Sequence, residues 1–590
     1  MPIAAQSENS LCVQITAGER TLELLPTENI FYLPALADVS AISLSWGGGP
    51  LYYKSSDGAY RGTLSSEQIR YLTPAKNVDA RGTDCYKLTL TFGGTSAEYT
   101  FYADENLALV FIETSKGLDF IESAKNNRDK NAKITVADRD GGVEYSDTET
   151  TSSEIKGRGN ATWSYYKKPY QIKLSEKTEL LGMGKAKTWI LLANYTDQSA
   201  LHNALAFRLG EDLGVPYNIE YRFVNLYIDS EYRGMYMLCE KVQIDKSRIN
   251  ITDLEKKTEE ANVGTDLESL AQTTVTSGTL IKNTILTSYT YTAGVKSPKD
   301  ITGGYLVELD NIRGYAEPSR FTTENGNTYV VKSPEYASKE EMEYIAELFA
   351  DMEEAVYSES GYNKKGKHYN EYIDIDSFAA VYTVQEFLKN WDAYLSSMFF
   401  FKDADSGNVT SKIYMGPLWD LDNILGNLQY ETYATDTSFL WAQNGVFQSY
   451  VRALAAPLMK HEDFSNTVAK KYQTAYAKIQ HYLYDDGFIE QSVNEIYSSV
   501  MMDRTRWKMY DNDSWLLTSG GHTKSSVKFV HFEEYGTASD NEPTTALGYL
   551  RWFLSERADA LLASIGTIKE EEPVATTQTE VTIKIANAAT

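Results

Sequence analysis

Apolar and polar residues alternate along the first hundred positions in short runs, CVQITA, TLELL, AISLSW, YKLTLTF and AEYTFYA, parted by Gly, Asp, Asn and Ser. Runs of period two at that spacing predict a small all-β, sandwich-like module over residues 1–105. A second region begins near ALVFIET (108–114), crosses a polar loop at 138–153 and enters EIKGRGNATWSYYKKPYQIKL, where strand and helix patterns mix. In TDQSALHNALAFRLGEDLG, Leu201, Leu205, Leu209 and Leu213 form one stripe of a helix, with Thr196 or Asp197 as N-cap and Gly214 as the stop. YRFVNLYI and GMYMLCEKV, joined by DSEYR, predict a hairpin. Residues 252–300 read as a long polar surface excursion, after which GGYLVELD (303–310) resumes a strand.

Helical periodicity follows at 338–357, 376–391, roughly 449–483, 487–509 and 544–564. The chain as a whole is therefore expected to be α+β: the N-terminal module (1–105), a mixed domain (106–565) with a largely helical C-terminal part, and a linker-like tail (566–590) that leads toward another module. Its 590 residues, 42% of them hydrophobic, exceed what one core usually supports, so more than one domain is expected.

Charge narrows the partners. With 56 basic against 82 acidic residues the net charge is −26, a field that repels nucleic acids and anionic membranes. No run of about 18 apolar residues is present to span a membrane, and the start MPIAAQSENS lacks a basic stretch followed by an apolar core. Three cysteines, Cys12, Cys85 and Cys239, are too few for a disulfide scaffold, although Cys12 and Cys85 could pair across a sandwich in an oxidising compartment. Strong acidity, 43 tyrosines and few cysteines match many secreted bacterial proteins, so an extracellular or cell-surface location is expected.

Candidate chemistry centres on PLWDLDNILG (417–426). In an extended segment Asp420 and Asp422 would point the same way, with Cα atoms about 6.5–7 Å apart, a seat for a divalent cation. Upstream, a helix ends near Asn390, Asp392 follows, and SMFFFK and KIYM form a hairpin across DADSG. The hairpin forces Asp392 toward Asp420 and Asp422. Carboxylates so placed repel one another unless a cation or proton is shared among them. An aspartate, a short hairpin and a metal-binding aspartate is also the order used by protein-kinase-like folds. In KGRGNATW, Gly157 and Gly159 flank Arg158, leaving backbone free to approach phosphates with a guanidinium in reach. In KKPYQIKL, Tyr170, Ile172 and Leu174 face one way while Gln171 and Lys173 face the other, where a kinase-like fold carries its phosphate-binding ammonium.

These segments, with LLGMGKAKTWILLANYTDQSALHNALAFRLGEDLG, GGYLVELD, EFLKNWDAY and LGYLRWFLSERADALLASI in order, resemble the CotH-type (spore coat protein H) family of atypical kinases over about 108–565. The resemblance implies a protein-kinase-like two-lobed domain with helical additions, using ATP and Mg2+ or Mn2+ to phosphorylate Ser/Thr of a protein rich in those residues. It implies Asp392 as the catalytic aspartate, Asp420 as principal metal ligand with Asp422 assisting, and Lys173 on phosphates. Arg158, Gly159 and Asn160 would line the glycine loop, and Glu240 would lie near the adenine-side hinge, with Glu308 competing for that place. Two departures stand out: the loop has only GRG, and Ser397 occupies the position, five residues after Asp392, where ordinary kinases carry a metal-binding Asn. The alternatives are a catalytically inert cell-surface scaffold (a pseudokinase) and a metal-dependent hydrolase, which would not need Lys173.

Overall fold

The computed structural model describes residues 11–46, 51–54, 60–64, 70–80, 82–92, 94–277, 287–390, 392–407, 409–427, 435, 454–508 and 545–565. The N-terminal strands form two sheets. One runs Arg20–Leu24, Leu11–Ala17, Ile42–Trp46, Arg70–Leu72; the other runs Ile30–Leu33, Thr95–Ala103, Asp84–Phe92, Leu51–Lys54, Tyr60–Leu64. Alternation sets the buried faces, and Val13, Ile15, Leu22 and Leu44 of the first sheet share one core with Phe31, Leu88, Leu90 and Phe101 of the second. That core continues into Leu109, Phe111, Tyr227 and Tyr232 downstream. Cys12 and Cys85 are both buried and form no disulfide with each other: Cys85 belongs to the core shared by the two sheets and Cys12 does not. Burial, with Glu23 close by, pushes the Cys12 thiol up to about 12.

The next unit is a β-barrel. Strands Ala108–Glu113, Tyr221–Ile228, Glu231–Glu240, Met183–Leu192, Tyr170–Leu180, Ser153–Gly157 and Arg128–Ala137 follow one another around it, and Leu109 pairing with Ala137 closes the ring. Val110, Ile112, Ile134, Ile155, Ile172, Trp189, Leu191, Val224 and Leu238 fill the interior. Each such aliphatic side chain, once fully buried, contributes roughly 1.5–3 kcal/mol. Glu240 and Arg248 form a buried ion pair beside Trp189, with the Arg248 guanidinium 4.6 Å from the indole ring. The hairpin read from YRFVNLYI and GMYMLCEKV is present, turning at Asp229 and Ser230 with φ of 50° and 70°. The 138–153 stretch is not wholly loop, because Val143–Ser146 pairs with Arg128–Ala137.

A second, antiparallel sheet of seven strands follows the order Gln272–Ser277, Thr287–Thr292, Arg320–Thr322, Thr328–Ser333, Tyr305–Leu309, Met398–Lys402, Ile413–Met415. Two of its strands come from the stretch read as a polar excursion over 252–300. There the threonine-rich runs QTTVTS and TSYTYT pair with each other and then with Arg320–Thr322, a distant partner that no local pattern announces. Helices Lys339–Tyr357, Ile375–Phe387, Glu462–Leu483, Phe488–Arg506 and Ala546–Ile565 supply the expected helical half. The tail 566–590 lies outside the described residues. The chain is thus mixed α+β, with a barrel that the sequence pattern did not reveal.

One large core joins these parts. It takes Ile190, Met237 and Cys239 from the outer face of the barrel, Val307, Leu309 and Phe400 from the second sheet, and the buried stripes of the helices. Leu201, Leu205, Leu209 and Leu213 are all buried, and the helix stops at Gly214 in the left-handed region (φ 77°), as read. Its start differs: the helix runs His202–Leu213, and Asp197 accepts the backbone N–H groups of Ser199 (2.9 Å) and His202 (2.7 Å) one turn ahead of it instead of capping it. Among the described residues no helix is long and apolar enough to cross a membrane.

Candidate active site

The catalytic-aspartate segment is set by polar contacts at the end of helix Ile375–Phe387. Asn390 donates its side-chain amide to Gln385 Oε1 (2.7 Å) and its backbone N–H to the Gln385 carbonyl (2.9 Å), while its own Oδ1 accepts the Asp392 backbone N–H (3.0 Å). Strands Met398–Lys402 and Ile413–Met415 then pair, Phe400 opposite Met415, and return the chain to Asp420. The predicted hairpin does bring the two acidic segments together: Asn423 Nδ2 donates to Asp392 Oδ2 at 2.5 Å.

Asp420 and Asp422 are not the same-facing pair of an extended strand. Asp420 sits at φ 62° in the left-handed region, so the alternation of side chains breaks there. It is exposed, and its Oδ2 accepts the Ser397 hydroxyl at 3.0 Å. Asp422 turns inward, where Asn203, in the first turn of helix His202–Leu213, donates to its Oδ1 at 2.7 Å. Asn427 Nδ2 holds the Asp422 carbonyl at 2.8 Å. Lys389, Tyr394, Ser397, Asp420 and Leu425 all have φ between 50° and 62°. Left-handed backbone costs such residues roughly 1–2 kcal/mol each, and strain of that kind concentrates where a chain positions chemistry.

Burial and mutual repulsion raise the carboxylates. Asp392 is pushed up to about 6 by burial and then by the charge of Asp420, with the Asn423 amide pulling down. Asp422 is pushed up to about 7 by burial and again by Asp420, against Asn203 and Arg158. Glu308, on strand Tyr305–Leu309, belongs to the same field: burial pushes it up to about 7, and Asp420 is among the charges that add to this. Such perturbation in one cluster is a mark of functional sites.

Cations face this acidic cluster. Arg158 lies 5.2 Å over the ring of Trp419, the residue before Asp420, and burial holds its guanidinium below the ordinary value while Asp420 and Asp422 pull it back up. Its loop needs both glycines. A Cβ on Gly157 would stand 2.3 Å from the Trp163 ring, and one on Gly159 (φ 83°) 2.1 Å from Thr162 Oγ1. Asn160 follows, its Oδ1 accepting the Lys125 ammonium at 3.1 Å. Lys173 is exposed on the outer face of the barrel, with Tyr170, Ile172 and Leu174 buried inside as read. Its charge acts on Lys241, and no hydrogen bond or ion pair ties it to the aspartates among the described residues. Glu240 is not brought to the cluster either. Its carboxylate is occupied by Arg248 and by the Glu220 backbone N–H (3.1 Å).

Among the described residues no three His, Cys, Asp or Glu side chains are gathered tightly enough to cage a metal. Mg2+ does not require a cage: one or two carboxylates, water and substrate phosphates satisfy it. Asp420 and Asp422 fit that demand, since among the described residues each spends only one carboxylate oxygen on a protein donor. The residues that sequence reasoning missed are the amides. Asn203 is remote in sequence and carries no signal, whereas Asn423 stands beside the D-x-D but no local rule turns it back onto Asp392.

A family model described as CotH kinase protein matches residues 155–561. A comparison with curated proteins finds no match.

Proposed function

We propose that this chain, which belongs to the CotH kinase protein family, transfers the γ-phosphoryl group of ATP to a Ser/Thr hydroxyl of a protein substrate outside the cytoplasm. The observation that carries the reading is the joining of Asp392 to the Asp420/Asp422 segment through Asn423, opposite an arginine held by Trp419. In this reading the acceptor oxygen attacks the γ-phosphorus, the bond to the β–γ bridging oxygen breaks, ADP departs, and the hydroxyl proton passes to Asp392. A carboxyl pushed up to about 6 is ionised at neutral pH and basic enough to accept that proton. Asp420 and Asp422 would hold Mg2+ or Mn2+, which supplies positive charge to the phosphoryl oxygens. Arg158 adds a fixed guanidinium on the same oxygens. In this reading Ser397 orients Asp420 through its hydroxyl. The acidity and low cysteine content of the chain support action outside the cytoplasm.

The test is label transfer from γ-labelled ATP, with magnesium or manganese, to the protein itself or to a Ser/Thr-rich protein. Transfer is expected from the parent chain and abolished in Asp392→Ala. Undiminished metal-dependent transfer in Asp392→Ala and in Asp420→Ala would refute the assignment. Nucleotide binding without transfer would indicate an inert scaffold, and release of phosphate to water that survives Lys173→Ala a hydrolase.

A further inference from the structure

Lys125 reaches the glycine loop from a segment that precedes the family-matched residues 155–561. Its placement is built. Helix Leu118–Ser123 is clamped to the barrel by Glu122, which accepts the Tyr170 hydroxyl and the Arg233 guanidinium (2.9 Å). Asn127 then closes the turn after the helix, donating to the Phe120 carbonyl (2.7 Å) and to Ser123 Oγ (2.9 Å). Lys125 lies within that turn, half-buried, with its ammonium on Asn160 Oδ1 at 3.1 Å.

One hydrogen bond leaves an ammonium with two spare donors. Among the described residues Lys125 makes no ion pair, Arg158 offers five N–H donors and makes no side-chain hydrogen bond, and exposed Arg313 makes no ion pair. This occurs in a chain with 82 acidic residues against 56 basic ones, where a carboxylate partner is easily found. Arg158 stands two residues before Asn160 in the same loop, and the charges of Arg313 and Arg158 repel that of Lys125 while Glu317 attracts it. Like charges held together with unused donors form a binding site for an anion, and the carboxylates beyond Arg158 limit the choice to one that also carries a metal. A polyphosphate meets both demands.

We infer that Lys125, with Arg158, forms a cradle for the terminal phosphates of the nucleotide, so that a segment outside the family match completes the site. This rests on the kinase reading above. A nucleotide and a phosphorylated protein substrate both carry such a phosphate; the adjacency of Lys125 to the glycine loop assigns it to the nucleotide.

The experiment compares the full-length parent, Lys125→Ala and Lys125→Arg by calorimetric titration with MgATP and with adenosine, together with initial rates. The expected result is MgATP binding about tenfold weaker in Lys125→Ala, near parental in Lys125→Arg, and adenosine binding equal in all three. The KM for ATP rises in Lys125→Ala while the KM for the protein acceptor holds. Unchanged MgATP affinity in Lys125→Ala overturns the inference. So does an equal loss of adenosine, which would mark a merely structural lysine, or a change confined to the acceptor, which would mark a protein-phosphate site. A parent chain that binds neither ligand overturns the nucleotide reading itself and this inference with it.

Discussion

Replacing Asp420 with asparagine removes one charge and little else. The side chain is exposed, asparagine tolerates φ near 62°, and its amide oxygen still accepts the Ser397 hydroxyl. What disappears is the field that, after burial, does most to raise Asp392 from 3.8 to about 6 and Asp422 from 3.8 to about 7. One pKa unit corresponds to about 1.4 kcal/mol. Burial ranks ahead of repulsion at both groups, so repulsion is the smaller of the two raising effects. The lost attraction between Asp420 and Arg158 offsets part of the relief. The net expectation is a metal-free protein about 1 kcal/mol more stable at pH 8.

The sign follows from protonation. At pH 8 Asp392, Asp422 and Glu308 are ionised and repelled by Asp420. Below pH 5 all three are protonated, because their values are raised to about 6, 7 and 7, and Asp420 has nothing left to repel. The gain is therefore present at pH 8, fades as pH falls through 7 and 6, and is absent at pH 5. Urea denaturation of the parent and Asp420→Asn at pH 8 and pH 5, without metal, measures it, and Mg2+ should stabilise the parent alone. An Asp420→Asn protein less stable than the parent at pH 8, or a gain equal at both pH values, would refute the reasoning.

Three further outcomes follow from named contacts. Asn423→Ala removes the amide that pulls Asp392 down, so the acidic limb of the kcat/KM profile should move to higher pH by roughly half a unit to one unit, read from pH–rate measurements. Gly159→Ala places a Cβ 2.1 Å from Thr162 Oγ1 at φ 83° and should cost about 1–3 kcal/mol of stability, measured by denaturant titration, together with ATP affinity. Arg557→Met leaves the fully buried carboxylate of Glu386, now bonded to Arg557 at 2.7 Å, without its guanidinium and should cost about 3–5 kcal/mol; adding Glu386→Gln should recover much of it in the same assay.

What could be read from sequence was what short-range rules decide. The Met398–Lys402/Ile413–Met415 hairpin, the Leu201–Leu213 stripe ending at Gly214 and the alternation at Tyr170, Ile172 and Leu174 are local patterns with one physical reading. The acidic site emerged because the hairpin turns sequence distance into proximity. The barrel did not emerge, since the pairing of Ala108–Glu113 with Tyr221–Ile228, over a hundred residues on, is a choice between distant strands. Asn203 on Asp422 and Lys125 on Asn160 were invisible for the same reason. The same-facing geometry of Asp420 and Asp422 failed for a different one: a left-handed φ at a non-glycine residue is imposed by its surroundings and has no sequence signature. The pairing of Glu240 with the buried Arg248 is likewise a contact that no local pattern announces.

The proposed function puts Asp392, Asp420, Asp422 and Arg158 around one reacting phosphoryl group. A crystal structure of the full chain with Mg2+ and a non-hydrolysable ATP analogue tests it most directly. The γ-phosphate is expected between Arg158 and the Asp420/Asp422 pair, with the Asp392 carboxylate on the side of the phosphorus away from the β–γ bridge. A nucleotide bound elsewhere, or one whose γ-phosphate leaves Asp392 out of reach of an acceptor hydroxyl, would contradict it.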